Sequence, residues 1–108
     1  MNQSPKVKIV VFVPETHAEA VRAAMAQAGA GRIGDYAACS FSSRGTGRFK
    51  PEAGAHPAIG AVGKPEAVDE ERIEATCERK IMRDVVAAIK SVHPYEEVAL
   101  DIYPLENI

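Results

Sequence analysis

Residues 78–105, ERKIMRDVVAAIKSVHPYEEVALDIYPL, change from helical to strand periodicity within one short segment. Apolar residues recur at helical spacing from Ile81 to Val92. Pro94 is expected to end this helix, because the residue before a proline resists helical dihedral angles. Beyond it, apolar residues alternate as in a strand, at Val98, Leu100 and Ile102. The stretch therefore predicts a helix followed by a final strand.

The beginning of the chain has the reverse order, a strand followed by a helix. KVKIVVFV, residues 6–13, is apolar on both faces, which is typical of a strand that is covered on both sides. In PETHAEAVRAAMAQAGAG, residues 14–31, Thr16 and Glu19 have the spacing of a capping box. Gly29 is suited to the C-terminal stop of this helix.

The middle of the chain predicts two further strands. DYAACSF, residues 35–41, has a strand-like composition, and the glycines and prolines of residues 45–65 indicate a loop or small hairpin region. EAVDEERIEATC, residues 66–77, is charged but contains regularly placed apolar residues. It favours a long strand with one face towards solvent or a partner, and a helix is the main alternative.

The order strand, helix, strand, strand, helix, strand predicts a ferredoxin-like α+β sandwich (βαββαβ). Two interleaved strand-helix-strand units place both helices on one face of a four-stranded antiparallel sheet. The length of 108 residues suits one domain, residues 1–108, with a flexible N-terminus at residues 1–5. Cys39 and Cys77 are equidistant from residue 58 in the predicted hairpin, which allows them to lie close together, although a reducing cytosol favours free thiols.

Composition argues against several classes of protein. The formal net charge of -2 provides no general cationic field, so we expect no nucleic-acid partner. No apolar run is long enough to span a membrane, and the polar N-terminal residues lack the apolar stretch of a signal peptide, which predicts a cytoplasmic protein. The cysteines have no CxxC spacing. The open sheet face and the strand edges predict a homo-oligomer.

Two segments together resemble a known family. AGAGRIGDYAACSFSSRGTGRFKPEAGAHPAIGAVGKPEAVDEERIE, residues 28–74, and HPYEEVALDIYPL, residues 93–105, resemble the YqfO-like domain of the NGG-interacting-factor family. The resemblance covers residues 6–105 and implies a fold similar to the CutA and PII-type proteins, which commonly form trimers. Val98 departs from the family pattern, which often has proline there.

The larger members of this family are dinuclear-metal-centre proteins or homologues of a type 2 GTP cyclohydrolase. In them, the resemblance implies that this domain is an insertion between two lobes that carry the metal ligands. The 108 residues match the insert alone. Neither the dinuclear centre nor a cyclohydrolase activity can therefore be assigned to any residue of this sequence.

The segment SRGTGRFK, residues 43–50, has the glycine amides and basic side chains of an anion-binding nest. PII-type proteins bind nucleotides in clefts between subunits, so the resemblance implies a small anionic ligand. The alternative is a mobile, solvated hairpin whose glycines permit a turn. The candidate ligand-binding residues are Arg44, Gly45, Gly47, Arg48, Phe49 and Tyr95.

The segment HPYEE suggests a second kind of site. His93 with Glu96 or Glu97 combines imidazole and carboxylate ligands, which suit zinc or a similar divalent metal ion. The alternative is structural. In that interpretation His93 ends the helix as an imidazolium favoured by the helix dipole, and Tyr95 packs.

Three functions are compatible with this sequence. The first is a non-catalytic, trimeric binding or regulatory module that senses a metal ion or an anionic metabolite between subunits. The second is a structural or docking protein that acts with a larger two-lobed relative. An enzyme such as a hydrolase ranks last, because no activated nucleophile or acid-base pair is identifiable.

Overall fold

The chain forms two strand-helix-strand units, and the computed structural model describes residues 4–108. Short 3-10 turns precede both helices, at Glu15–His17 and Arg79–Ile81. The strands and helices are β1 (Lys6–Pro14), α1 (Ala18–Gln27), β2 (Phe41–Phe49), β3 (Glu66–Glu78), α2 (Met82–Val92) and β4 (Leu100–Pro104). The sheet order is β2-β3-β1-β4 with antiparallel neighbours throughout. The predicted α+β ferredoxin-like fold is therefore confirmed.

The core lies between the sheet and the two helices. Alternate residues of β1 are fully buried on the helix side, namely Val7, Ile9, Val11 and Val13. They belong to one apolar cluster with the inner faces of α1 and α2, which contribute Val21, Met25, Val85 and Ile89. Burial of each such side chain contributes about 1.5–3 kcal/mol. The apolar faces of these segments therefore stabilise the packing of the two helices on the sheet.

The predicted capping box at the start of α1 is wrong. Helix α1 begins at Ala18, and its N-cap residue, His17, makes no side-chain capping hydrogen bond. Thr16 Oγ1 instead lies 2.8 Å from His17 Nδ1, and the Glu19 carboxylate accepts a 3.1 Å hydrogen bond from Arg22. Both side chains thus have other partners. Gly29 follows the helix with a φ of 103°, as expected of a helix stop.

Strand β2 lies further along the chain than predicted. Residues 35–40 are not part of it, because the chain turns back on itself there: Ile33 and Tyr36 exchange backbone hydrogen bonds of 2.9 Å. The strand residues Phe41–Phe49 have weak strand propensity of their own but pair with β3 from Glu74 to Glu66. Backbone pairing with β3 therefore determines this strand.

Strand β3 is confirmed as a long strand, and the helical alternative is wrong. It pairs with β1 on one side and with β2 on the other. Cys77 lies opposite Val7 of β1, whereas Cys39 precedes β2, so the two cysteines are not a cross-strand pair of the hairpin. Both are free thiols.

The sheet face opposite the helices carries no helix. Val10 lies on this face and is fully buried, and Lys8, Arg72 and Glu74 on the same face form ion pairs of 3.1 and 3.3 Å. Phe41 on the same face remains 67% exposed.

No helix in residues 4–108 is long and apolar enough to cross a membrane.

The two ends of the described chain meet beside β1. The Leu105 backbone N–H donates a 3.1 Å hydrogen bond to the Lys6 oxygen, and the Ser4 hydroxyl contacts the Leu105 oxygen. The Arg79 guanidinium donates to the Ser4 oxygen at 2.6 Å. Residues 1–3 of the predicted flexible N-terminus lie outside the described residues.

Candidate functional site

A cavity of about 530 Å³ lies between the end of β2, the loop that follows it and the segment joining α2 to β4. It lies on the sheet face that carries no helix. Strand alternation places the lining residues Phe12, Phe49 and Glu70 together on that face. Its wall is mainly apolar, with Phe12, Phe49, Pro51, Pro57, Ile59 and Ala99 among the lining residues. A mainly apolar wall with polar groups at defined positions is typical of sites for small organic ligands.

Glu70 is a buried carboxylate in the wall of this cavity. Its residue surface is 7% exposed, and its Oε2 accepts a 3.1 Å hydrogen bond from the Tyr95 hydroxyl. The other oxygen, Oε1, lies against Gly47, and a Cβ at that position would overlap the carboxylate. Within residues 4–108, Glu70 forms no ion pair with a basic side chain.

Sequence reasoning missed Glu70. An acidic run such as Asp69, Glu70 and Glu71 is typical of the solvated face of a strand, or of pairing with basic residues such as Arg72 and Arg79 across an interface. The three side chains differ in the structure. Asp69 is exposed, Glu70 is buried, and Glu71 Oε1 receives a 2.5 Å hydrogen bond from Arg22 of α1. Strand alternation separates Glu70 from Glu71, and glycines at 45 and 47 on the neighbouring strand leave room for it.

Tyr95 connects Glu70 to the aromatic wall. Its ring lies edge-on to that of Phe49, with 5.7 Å between the centroids, and is 5.2 Å from the ring of His93. Burial, together with the hydrogen bond to the Glu70 carboxylate and its charge, raises the pKa of Tyr95 to about 12. The phenol therefore stays protonated near neutral pH and donates to Glu70.

His93 ends α2, as predicted, but not as an imidazolium. Its side chain is buried, and this burial lowers its pKa although the hydrogen bond to the Phe12 backbone opposes the shift. Nε2 lies 2.8 Å from the Phe12 oxygen and Nδ1 accepts a 3.1 Å hydrogen bond from the Tyr95 backbone N–H. The neutral ring with its proton on Nε2 satisfies both contacts. The predicted helix-dipole imidazolium is therefore wrong.

The candidate metal ligands do not converge in the described chain. Both ring nitrogens of His93 have backbone partners, so neither offers a free lone pair. Glu96 Oε1 instead accepts a 2.7 Å hydrogen bond from the His56 backbone N–H, while Glu97 lines the cavity. No three metal-ligating side chains come together anywhere in residues 4–108. Zinc binding at His93 would require one of its two hydrogen bonds to break.

The candidate ligand-binding residues are divided by the structure. Four line the cavity, namely Gly47, Arg48, Phe49 and Tyr95, whereas Arg44 and Gly45 do not. Arg44 instead forms a 3.5 Å ion pair with Glu15. Four carboxylates line the cavity (Glu52, Glu70, Glu96 and Glu97) against two cations (Arg48 and Lys50). This charge balance does not favour the predicted anionic ligand.

Comparison with known proteins gives several extended similarities. The sequence is 53% identical over 100 residues to the GTP cyclohydrolase 1 type 2 homologue of Halalkalibacterium halodurans, covering 93% of this chain and 27% of that protein. The Bacillus subtilis homologue is 51% identical over 103 residues, with 95% and 28% coverage. The chain is homologous to one segment of these proteins. The predicted resemblance to their family is confirmed over that segment, although no protein-family model matches the chain.

Solved structures agree with this homology. The crystal structure of a Bacillus cereus protein related to NIF3 has a TM-score of 0.84 and 48% identity, covering 99% of this chain and 27% of that chain. CutA of Archaeoglobus fulgidus, a periplasmic divalent cation tolerance protein, has a TM-score of 0.69 at 18% identity, with 94% and 85% coverage. The similarity to CutA shows the fold alone.

The homology has a limited extent. The chain spans little more than a quarter of the length of the GTP cyclohydrolase 1 type 2 homologues that it matches. Most of each of these proteins lies outside the segment that the chain matches. The chemistry that this chain can perform therefore depends on its own residues.

Proposed function

We propose that the chain is a non-catalytic binding or regulatory module that holds a small organic molecule in the cavity beside Glu70. The observation that carries this proposal is one buried carboxylate, bonded to the Tyr95 hydroxyl, in an otherwise largely apolar wall. A few fixed polar groups within an apolar cavity orient a ligand and provide its specificity.

The experiment is a screen of small organic fragments by nuclear magnetic resonance on the isotope-labelled chain. Ligands should shift the amide signals of Gly47, Phe49 and Tyr95, which line the cavity. Phe49→Ala should weaken binding by about tenfold or more, because it removes an aromatic wall. Tyr36→Ala is the matched control, since Tyr36 is an exposed aromatic residue outside the cavity. Fragments that bind only elsewhere would refute the proposal.

We also propose that copies of the chain associate through the exposed edges of the sheet, forming a trimer. Supporting this, Phe41 and Tyr103 are 67% and 43% exposed on strands at the two edges of the sheet. Exposed aromatic side chains on unpaired edges favour association. Sedimentation equilibrium at micromolar concentration tests this, and a monomer mass of 11.6 kDa would overturn it.

A further inference from the structure

The cavity contains an acidic group without a counter-charge. Glu70 has a 7% exposed residue surface, and within residues 4–108 the Tyr95 hydroxyl is its only hydrogen-bond donor, at Oε2. Oε1 has no donor from the described residues, although it lies in a wall open to a ligand. Burial of a carboxylate is unfavourable unless it is paired, so a cation that enters the cavity gains more here than in water.

We infer that the cavity selects an organic cation, a molecule that carries a protonated nitrogen on a flat apolar body, and that Glu70 binds that nitrogen. This inference rests on the proposed function. The ligand would thus have a positive charge, whereas the sequence predicts an anion. Its flat shape is not predicted from the sequence.

The shape of the wall supports the flat apolar body. Phe12, Phe49 and Tyr95 place three aromatic rings around the cavity, and prolines of the following loop complete it. Arg72 lies over the Phe12 ring, 5.8 Å from its centroid, so Phe49 and Tyr95 are the rings left for a cation. Aromatic rings stack on flat ligands and attract cations through their faces. The aromatic wall thus favours the flat body of the ligand, and the Glu70 carboxylate favours its protonated nitrogen.

The remaining charges support the sign. At the rim Glu52 forms a 3.9 Å ion pair with Lys50, which leaves the exposed lining residues Glu96 and Glu97 against Arg48. An anion would meet the buried Glu70 carboxylate after passing this rim. Like charges at such short range are unfavourable in a site of reduced dielectric constant.

The test uses three probes that share one ring and differ in charge: benzamidine, benzamide and benzoate. Affinities are measured from the shifts of the Gly47, Phe49 and Tyr95 amide signals. Benzamidine should bind at least tenfold more tightly than benzamide, and benzoate should bind least. In Glu70→Gln, which keeps an acceptor for Tyr95, benzamidine should fall to the affinity of benzamide. Glu97→Gln, an exposed rim change, should retain most of the preference.

The outcomes separate this inference from the function on which it rests. If benzamide or benzoate occupies the cavity as tightly as benzamidine, the cation inference is overturned while the binding function stands. The same holds if folded Glu70→Gln keeps the preference. If no probe shifts the cavity amides up to about 10 mM and the fragment screen finds no ligand there, both proposals fail. The relative affinities of the three probes for the unmodified protein test the cation inference even if Glu70→Gln does not fold.

Discussion

His93 Nε2 lies 2.8 Å from the backbone oxygen of Phe12, so the end of α2 is tied directly to the central strand. This contact uses the only N–H group of the neutral imidazole ring. It also fixes the start of the segment that carries Tyr95 to Glu70, because His93 Nδ1 accepts the Tyr95 backbone N–H. The position of the cavity wall thus depends on a histidine that is not itself among its lining residues.

The free energy of unfolding should fall as the pH drops below about 6.5, the ordinary value for histidine. Burial lowers the pKa of folded His93, despite the opposing Phe12 bond and Glu70 charge, and nearby His17 lowers it further. The unfolded chain therefore takes up the proton first, and the contribution is fully present only above that pH. The added slope is at most about 1.4 kcal/mol per pH unit.

Urea unfolding between pH 5 and 7.5 measures this effect. His93→Gln, whose amide can still donate to Phe12, should show a shallower loss. His56→Gln is the control, since the side chain of His56 is exposed and makes no hydrogen bond among residues 4–108. Equal slopes for wild type and His93→Gln would contradict the assignment of a buried neutral ring.

Tyr95→Phe should lower the free energy of unfolding by about 1–3 kcal/mol, because the ring contacts remain while the Glu70 carboxylate loses its hydrogen-bond donor. Tyr36→Phe, at a 75% exposed position, should change it by less than about 0.5 kcal/mol. The pair is compared by urea unfolding at pH 7. Similar small effects would mean that the Glu70 carboxylate does not depend on Tyr95.

The same hydroxyl predicts an alkaline effect. The pKa of folded Tyr95 is raised to about 12, above the ordinary value of 10. The unfolded chain therefore loses this proton first, and the corresponding stability declines as the pH rises from about 10 towards 12. Tyr95→Phe should lack this part of the decline, which Tyr36→Phe should retain.

Gly47→Ala should be destabilising by about 1–3 kcal/mol, because the new Cβ would overlap the Glu70 carboxylate and displace it. Gly45→Ala is matched to it in strand and face, yet its Cβ would meet no atom within 4 Å. We expect a change below about 0.5 kcal/mol there. In a Glu70→Ala background the penalty at Gly47 should largely disappear, and an unchanged penalty would show that the strain lies in the backbone.

The two thiols should react at different rates with a disulfide reagent. Cys77 is 5% exposed, and burial, with the charge of Glu78, raises its pKa. Cys39 is partly exposed. The first thiol equivalent should therefore react at least about tenfold faster than the second, which requires local opening. Cys39→Ser should remove the fast phase, and a persisting fast phase would contradict the burial of Cys77.

The spacing of apolar residues predicts those strands and helices whose apolar faces pack into the core. The apolar residues on both faces of β1 and the helical spacing of Val85 and Ile89 indicate directly which side chains are buried. Strand β2 is different, because Phe41–Phe49 contains serines and glycines and is defined by its pairing with β3. A long-range partner of that kind leaves little trace in the local sequence.

The site was predictable only in part. Glycine-rich composition drew attention to Gly47 and Phe49, and the proline turn drew attention to Tyr95, all of which line the cavity. The decisive group, Glu70, lies in an acidic run that resembles a solvated strand. Its burial arises from the absence of a side chain on the neighbouring strand, which single-sequence patterns do not reveal.

The hydrogen bond between Leu105 and Lys6 places the entry and exit of the chain side by side, at the spacing of two neighbouring strands, about 5 Å. A host protein could therefore accommodate this unit at a single surface loop without pulling its ends apart. The helices and the Glu70 cavity would then form an autonomous side module.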